Sequence, residues 1–220
     1  MSSVNLYKTF NYAQPTEYRF SHDSVFLSRY VFEKMRFENL CYTNILDLCS
    51  GCGVVGLDFL FHVHKDLLAV PALIDFVELQ KDYTPHFEQN TTSINSIFKI
   101  TAKLNLLNFN YQELKNYDSF RNKYNLILCN PPYFRPSQGR LSNSNFKNRC
   151  RFYIDSNLTE LISCINYCLS PEGRAYVLIK DLSEHNIDVE YELRAQAELQ
   201  LSFKKIGKIR STDLFLFQKA

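Results

Sequence analysis

No apolar run in this 220-residue sequence approaches the roughly 18 residues that a membrane-spanning helix requires, so no membrane partner is expected. Met1 to Gln14 carries neither a basic stretch nor an apolar one, so no cleavable secretory signal is read there. Charge of one sign is scarce: the formal net charge is +2, and any case for a polyanionic partner rests on where the cations sit. Glycine is rare, six in all, and no internal repeat, low-complexity tract or linker breaks the chain. The seven cysteines are an odd number. Without a signal they are expected to remain reduced in a cytoplasmic protein, mostly as small buried groups. Cys49-x-x-Cys52 falls in a glycine turn and Cys164-x-x-x-Cys168 on one face of a helix. Neither is a zinc-ribbon spacing, and no metal is expected. His22, His62, His64, His86 and His185 form no constellation and read mostly as surface or cap residues.

What is present is a globular balance, 45% apolar and 22% charged, in a length that suits one domain, 1–220. Short β-rich runs alternate with helical patterns. The strand candidates are Ile45–Cys49, Leu73–Leu79, Leu104–Asn110, Leu126–Asn130, Ala175–Lys180, Leu201–Ile209 and Leu214–Gln218. Stretches long enough for crossover helices separate the first five, as parallel βαβ units require. Leu158, Leu161, Ile162, Ile165 and Leu169 form one apolar stripe, which predicts a helix over Asn157–Leu169. Pro171-Glu172-Gly173 then breaks it before the next strand. A further helix is expected near Ser24–Met35. The last two strands are too close for a crossover helix and must form an antiparallel hairpin.

Three of the six glycines fall in Gly51-x-Gly53-x-x-Gly56, between an apolar strand and an apolar helix. Glycine lets a backbone pass close beneath a ligand. The same spacing matches the dinucleotide fingerprint, and Glu78 ends the next strand at a suitable distance. Asp47 separates the readings. A pyrophosphate prefers bare helix N–H groups and gains nothing from a nearby carboxylate, whereas S-adenosylmethionine presents a cationic sulfonium and amino group. Glu78 can accept from the ribose of either ligand. The loop therefore favours S-adenosylmethionine, while a nicotinamide-binding domain and a turn that only packs helix on strand stay open.

A second motif follows the fourth strand: Asn130-Pro131-Pro132-Tyr133-Phe134. Two prolines cannot extend a ladder and stiffen the backbone, which makes a rigid platform at a strand's carboxyl end, where α/β sheets bind ligands. The Asn130 side-chain oxygen and the Pro131 carbonyl can both accept from an exocyclic NH₂. That localises the nitrogen lone pair and stabilises the positive charge that develops there. Tyr133 and Phe134 offer faces on which a planar substrate can stack.

With both motifs the chain resembles the class I amino-methyltransferases of the Asn-Pro-Pro-Tyr type. Within them it is most similar to the bacterial tRNA (adenine-N6)-methyltransferases that modify the adenosine beside the anticodon of valine tRNA. The resemblance spans Asp47 with the glycine loop, Glu78, Asn110, Asn130–Tyr133, the upstream Tyr18–Leu27 segment and the terminal hairpin. It implies a Rossmann-like α/β fold, a seven-stranded mostly parallel sheet with a C-terminal antiparallel hairpin and helices on both faces. It implies S-adenosylmethionine as cofactor, held by Phe20, Asp23, Ser24, Asp47, Cys49, Gly51, Gly53, Glu78, Leu79, Asn110 and Asn130, with catalysis at Asn130, Pro131, Pro132 and Tyr133. Residues 1–44 are expected to form a helical segment covering the cofactor site. Two positions depart from the family pattern: Cys49 replaces its first glycine, and Asn110 stands where an Asp commonly contacts adenine.

The motif also serves enzymes acting on guanine N2, DNA adenine and a glutamine amide, and a catalytically inactive binding module could keep the fold. Charge placement favours nucleic acid, most of all tRNA. Between Tyr133 and Ile154 lie Arg135, Arg140, Lys147, Arg149 and Arg151 and no acid, interleaved with aromatic residues. Residues 134–154 are therefore read as a basic substrate loop, with Phe134 and those five cations as RNA contacts. Lys204, Lys205, Lys208 and Arg210 could extend that surface. A glutamine methyltransferase usually carries an extra N-terminal domain, and only 44 residues precede Ile45. A monomer is expected.

Overall fold

A computed structural model describes residues 10–196 and 200–219; the first nine residues of the expected N-terminal segment lie outside that range. Seven strands form one sheet in the order β3-β2-β1-β4-β5-β7-β6. They are β1 Asn44–Leu48, β2 Leu73–Val77, β3 Lys103–Leu107, β4 Tyr124–Cys129, β5 Leu169–Ile179, β6 Leu201–Ile209 and β7 Thr212–Lys219. The first five pair in parallel, and β7 slots antiparallel between β5 and β6. The hairpin turn is only Arg210-Ser211, with Arg210 left-handed at φ 53°.

Strand alternation divides the core into two layers. Ile45, Ile74, Phe76, Leu126 and Leu128 pack on one face with helices α1 (His22–Phe37), α2 (Val54–Lys65) and α3 (Thr84–Ile97). Leu46, Leu48, Val77, Ile127 and Cys129 pack on the other. That second layer is closed by α5 (Leu158–Cys168), which follows the short α4 (Asn145–Arg151), and by α6 (Val189–Arg194). The apolar stripe of α5 is buried as its spacing predicts, Cys164 and Cys168 included.

Three expectations need correction. The β3–β4 crossover has no α-helix: two short 3₁₀ turns, Tyr111–Asn116 and Asp118–Phe120, span it, and Tyr111 and Leu114 supply its buried contacts. Pro171-Glu172-Gly173 lies inside β5, not before it. The ladder jumps from Tyr124↔Leu169 to Leu126↔Arg174, a bulge that accommodates the proline. A Cβ at Gly173 would sit 2.9 Å from the Tyr124 carbonyl oxygen, so only glycine fits the close approach. Among its described residues the N-terminal segment is helical only over His22–Phe37.

The preceding residues form a strap with two anchors. The Tyr12 hydroxyl donates to buried Asp58 (3.1 Å), and Asn90 of α3 exchanges bonds with the backbone of Ala13 (2.7 and 3.0 Å). The Asn90 amide also donates to the Cys52 carbonyl (3.0 Å), so one buried side chain ties strap, glycine turn and α3 together. Asn90→Ala leaves these backbone groups unpartnered and should cost about 2 kcal/mol, read as a lower urea midpoint at unchanged m-value. An unaltered midpoint would show that the strap and turn are held elsewhere.

Candidate active site

The glycine turn is built from left-handed residues. Cys49, Gly51 and Gly53 have φ of 57°, 54° and 80°. Cys49 adopts this conformation without glycine's freedom, a strain of about 1–3 kcal/mol. Two carboxylates support the turn. Asp47, wholly buried on the α2 face of β1, accepts from the Gly56 N–H at 2.8 Å. That approach requires glycine, since a Cβ at Gly56 would stand 2.7 Å from Phe76 and 3.1 Å from the Asp47 carboxylate. Glu78 accepts from the N–H groups of Gly51 and Gln80, both at 2.8 Å. Burial pushes Asp47 up to about 8 and Glu78 up to about 7, against the backbone bonds that favour their ionised forms.

Parallel pairing of β1 with β4 sets Leu48 opposite Cys129, so the turn and Asn130 emerge side by side. The Asn130 amide donates to the Ser24 hydroxyl of α1 at 2.8 Å, and its oxygen accepts from the Tyr133 hydroxyl at 2.6 Å. Thr212 is a second hydrogen-bonding neighbour of that hydroxyl, and burial raises the phenol's pKa. Thr212 in turn faces Asp23 (3.4 Å), which also has Arg210 at 3.5 Å.

A cavity of about 220 Å³ lies between turn and platform. Among the sequence-predicted residues it brings together Phe20, Ser24, Cys49, Gly51, Glu78, Leu79, Asn110, Asn130, Pro131, Pro132, Tyr133, Phe134, Arg149 and Arg151. It does not bring in Asp23, Asp47 or Gly53. Asp23 is turned to the hairpin, Asp47 lies beneath the turn, and Gly53 is buried against Phe87 as the N-cap of α2. Asn110 reaches the wall, and its amide is partly engaged. Its oxygen caps the first 3₁₀ turn through Gln112 N–H (3.1 Å), and its nitrogen donates to the Asp155 carbonyl (3.0 Å). Sequence reasoning missed Gln14 and Tyr18 on the strap, and Gln80, Tyr83, Phe109 and Cys150. Phe109, adjacent to Asn110 at the end of the third strand run, was the one with a local signal.

The basic segment folds back over this cavity. The Arg151 carbonyl accepts from the N–H groups of Tyr133 and Phe134 (3.1 and 3.0 Å), and Cys150 of α4 meets the Tyr83 hydroxyl at 3.2 Å. Its five cations are not equivalent. Arg135 is bonded to Glu192 (2.5 Å) and Arg149 to Asp155 (2.8 Å), acids that lie outside the run read in the sequence. Arg140 and Lys147 stand away from the cavity and form no ion pair among the described residues. On the hairpin, Lys205 and Lys208 both face Asp213 (2.6 and 3.4 Å). His62, read as a surface or cap residue, is instead buried 3.5 Å from Asp58. Among the described residues no group of three or more His, Cys, Asp or Glu could hold a metal ion, and no helix is long and apolar enough to cross a membrane.

No protein-family model matches the chain. Curated relatives do. A tRNA1(Val) (adenine(37)-N6)-methyltransferase of Cytophaga hutchinsonii is 31% identical over 157 residues, 64% of this chain and 53% of the relative. One of Shewanella putrefaciens is 27% identical over 162 residues, 71% of this chain and 59% of the relative. The chain thus spans little more than half the length of these relatives. Among solved structures, an S-adenosylmethionine-dependent methyltransferase from Clostridium acetobutylicum superposes with a TM-score of 0.58 at 15% identity, covering 91% of this chain and 93% of that one. An O-methyltransferase family protein from Burkholderia thailandensis gives 0.54 at 11% identity, covering 89% and 57%. The chain has the Rossmann-like fold of class I methyltransferases, and its sequence is similar to that of the tRNA1(Val) (adenine(37)-N6)-methyltransferases.

Proposed function

We propose that the protein transfers a methyl group from S-adenosylmethionine to the N6 amino group of an adenine in structured RNA, a tRNA beside its anticodon being the substrate favoured by the named relatives. The observation that carries this reading is one cavity walled by both Glu78 with the glycine turn and Asn130 with Pro131. The residues present fit the cofactor. Glu78 supplies an acceptor for a ribose diol, Leu79 and Phe109 offer apolar surface for an adenine ring, and Asp47 acts from beneath by holding the Gly56 N–H behind the turn. When bound, S-adenosylmethionine supplies an electrophilic methyl group on a sulfonium.

The chain's own residues orient the nucleophile. Ser24 accepts from the Asn130 amide nitrogen, which orients the amide and leaves its oxygen as the acceptor. That oxygen already accepts from Tyr133, and its second lone pair remains for the substrate NH₂. Acceptors fixed in advance stabilise the charge that builds on nitrogen, and holding the amine in line with the methyl supplies much of the remaining acceleration. No strong base is required, because the alkylated nitrogen is acidic and releases its proton to water.

Tritiated methyl transfer to tRNA, rRNA, DNA and protein pools, followed by digestion, should yield N6-methyladenosine in tRNA. Label in guanine, DNA or glutamine would replace the substrate while keeping the chemistry. Asn130→Ala should abolish transfer yet leave cofactor affinity within a few-fold; equal loss of both would show that Asn130 serves binding. Ionised Glu78 is a stronger acceptor for ribose than the protonated acid, so cofactor affinity should fall as pH drops through about 7 and level off above it. Calorimetry on Glu78→Gln should show this pH dependence gone. Removing Arg140 and Lys147 should lower the slope of log affinity against log salt by about one unit for each phosphate no longer neutralised; an unchanged slope would mean the segment does not meet RNA.

A further inference from the structure

We infer that a second cavity, on the far side of Pro132 and Tyr133, is a subsite for the base of a nucleotide flanking the methylated adenine; the inference rests on the RNA reading above. This cavity measures about 270 Å³. Its floor is apolar, made by Ile179, Leu182 and Val189, and both Tyr133 and Tyr153 wall it. Pro132, Tyr133 and Ser156 are shared with the first cavity, whereas Asn130 and Pro131 line the first alone. An occupant of the second cavity therefore cannot present an amine to the Asn130 oxygen, and the reacting adenine belongs on the other side of the partition.

The lining suits a nucleobase. Aromatic walls over an apolar floor accept a planar ring by stacking. At the edge, the Asn157 oxygen caps α5 by accepting from Glu160 N–H (2.9 Å), which leaves the amide nitrogen as a donor toward the lining. Arg135 and Lys180 also line the cavity. Lys180 is held by Ser211 (3.1 Å to both its carbonyl and its hydroxyl) and Arg135 by Glu192, so both cations are fixed in place where a phosphate of the same strand would pass. Two bases consecutive in one strand would thus straddle the Pro132–Tyr133 wall, one presented to Asn130 and its neighbour stacked beyond. Such a subsite would select sequence context without touching the reacting nitrogen.

The test is equilibrium binding, without cofactor, to the arm of the RNA that carries the methylated adenine, with an abasic nucleotide placed in turn on each side of it. Loss of the base on one side should weaken binding on the order of tenfold, as expected for a stacked base, and loss on the other side should have little effect. Val189→Trp fills the floor. It should bind intact RNA about as weakly as wild type binds the abasic RNA, become indifferent to the abasic change, and keep its affinity for the demethylated cofactor. Should Val189→Trp fail to fold, Val189→Met and the wild-type abasic series carry the same comparison. If neither abasic position costs more than about twofold although wild type methylates that RNA, the subsite is refuted and the function stands. A folded Val189→Trp that still discriminates refutes it likewise. Failure of wild type to bind or methylate any RNA refutes both.

Discussion

A turn that offers its backbone to a ligand needs something beneath it to fix its shape, and here that support is two buried carboxylates. Asp47 holds the Gly56 N–H and Glu78 the Gly51 N–H, from adjacent strands. Burying two acids is costly, as their raised pKa values record. The cost is offset by backbone N–H groups that gain a partner: Gly56 in the first turn of α2, which has none within the helix, and Gly51 and Gln80 in the flanking turns. The glycine at position 56 follows from the same arrangement, because any side chain there would push α2 off the Asp47 carboxylate and Phe76. Asn90 extends the arrangement outward by binding the Cys52 carbonyl and the strap, so the roof of the cavity is registered to its floor.

The second half of the site inherits its position from strand order. With β1 and β4 adjacent and parallel, the glycine turn and Asn130 leave the sheet at neighbouring points, although 79 residues separate Gly51 from Asn130. The Asn130 amide is then fixed from both ends, by Ser24 from α1 and by Tyr133 from its own motif. Thr212 and Asp23 carry the restraint to the hairpin. The Asn130 amide is thus ordered without a ligand, which in the proposed reaction would lower the ordering entropy charged to binding.

The elements legible in the sequence were those with local signals: seven strands, the α5 stripe, the hairpin's short turn, and the two motifs at strand ends. What escaped depends on distant partners. Pro171 reads as a break until β5 is seen to bulge there against β4. Asn110 lines the cavity as read, but that the Asp155 carbonyl, 45 residues on, takes one of its N–H groups has no local signal. Asp47 reads as facing the cavity because sequence gives the end of a strand but not which face α2 covers. The run from Tyr133 to Ile154 reads as uniformly basic because the acids that neutralise Arg135 and Arg149 lie outside it. Phe109 had a signal in its place beside Asn110, whereas Gln14 and Tyr18 lie in a strap without periodicity.

Those ion pairs change what the basic segment can do. An exposed pair contributes at most about 1 kcal/mol, so neither fixes the segment strongly. Backbone bonds from Tyr133 and Phe134 to Arg151, and the contact between Cys150 and Tyr83, hold it over the cavity instead. A phosphate approaching Arg135 or Arg149 competes with a carboxylate already present and gains less than one approaching Arg140 or Lys147. In the proposed function the paired arginines would favour register over raw attraction, each guanidinium lying beside its carboxylate near the platform, while the unpaired cations would supply the long-range pull. On the RNA reading proposed above, a surface built this way would discriminate by where a strand's phosphates fall, which suits an RNA whose backbone is already folded better than one that must be shaped on contact.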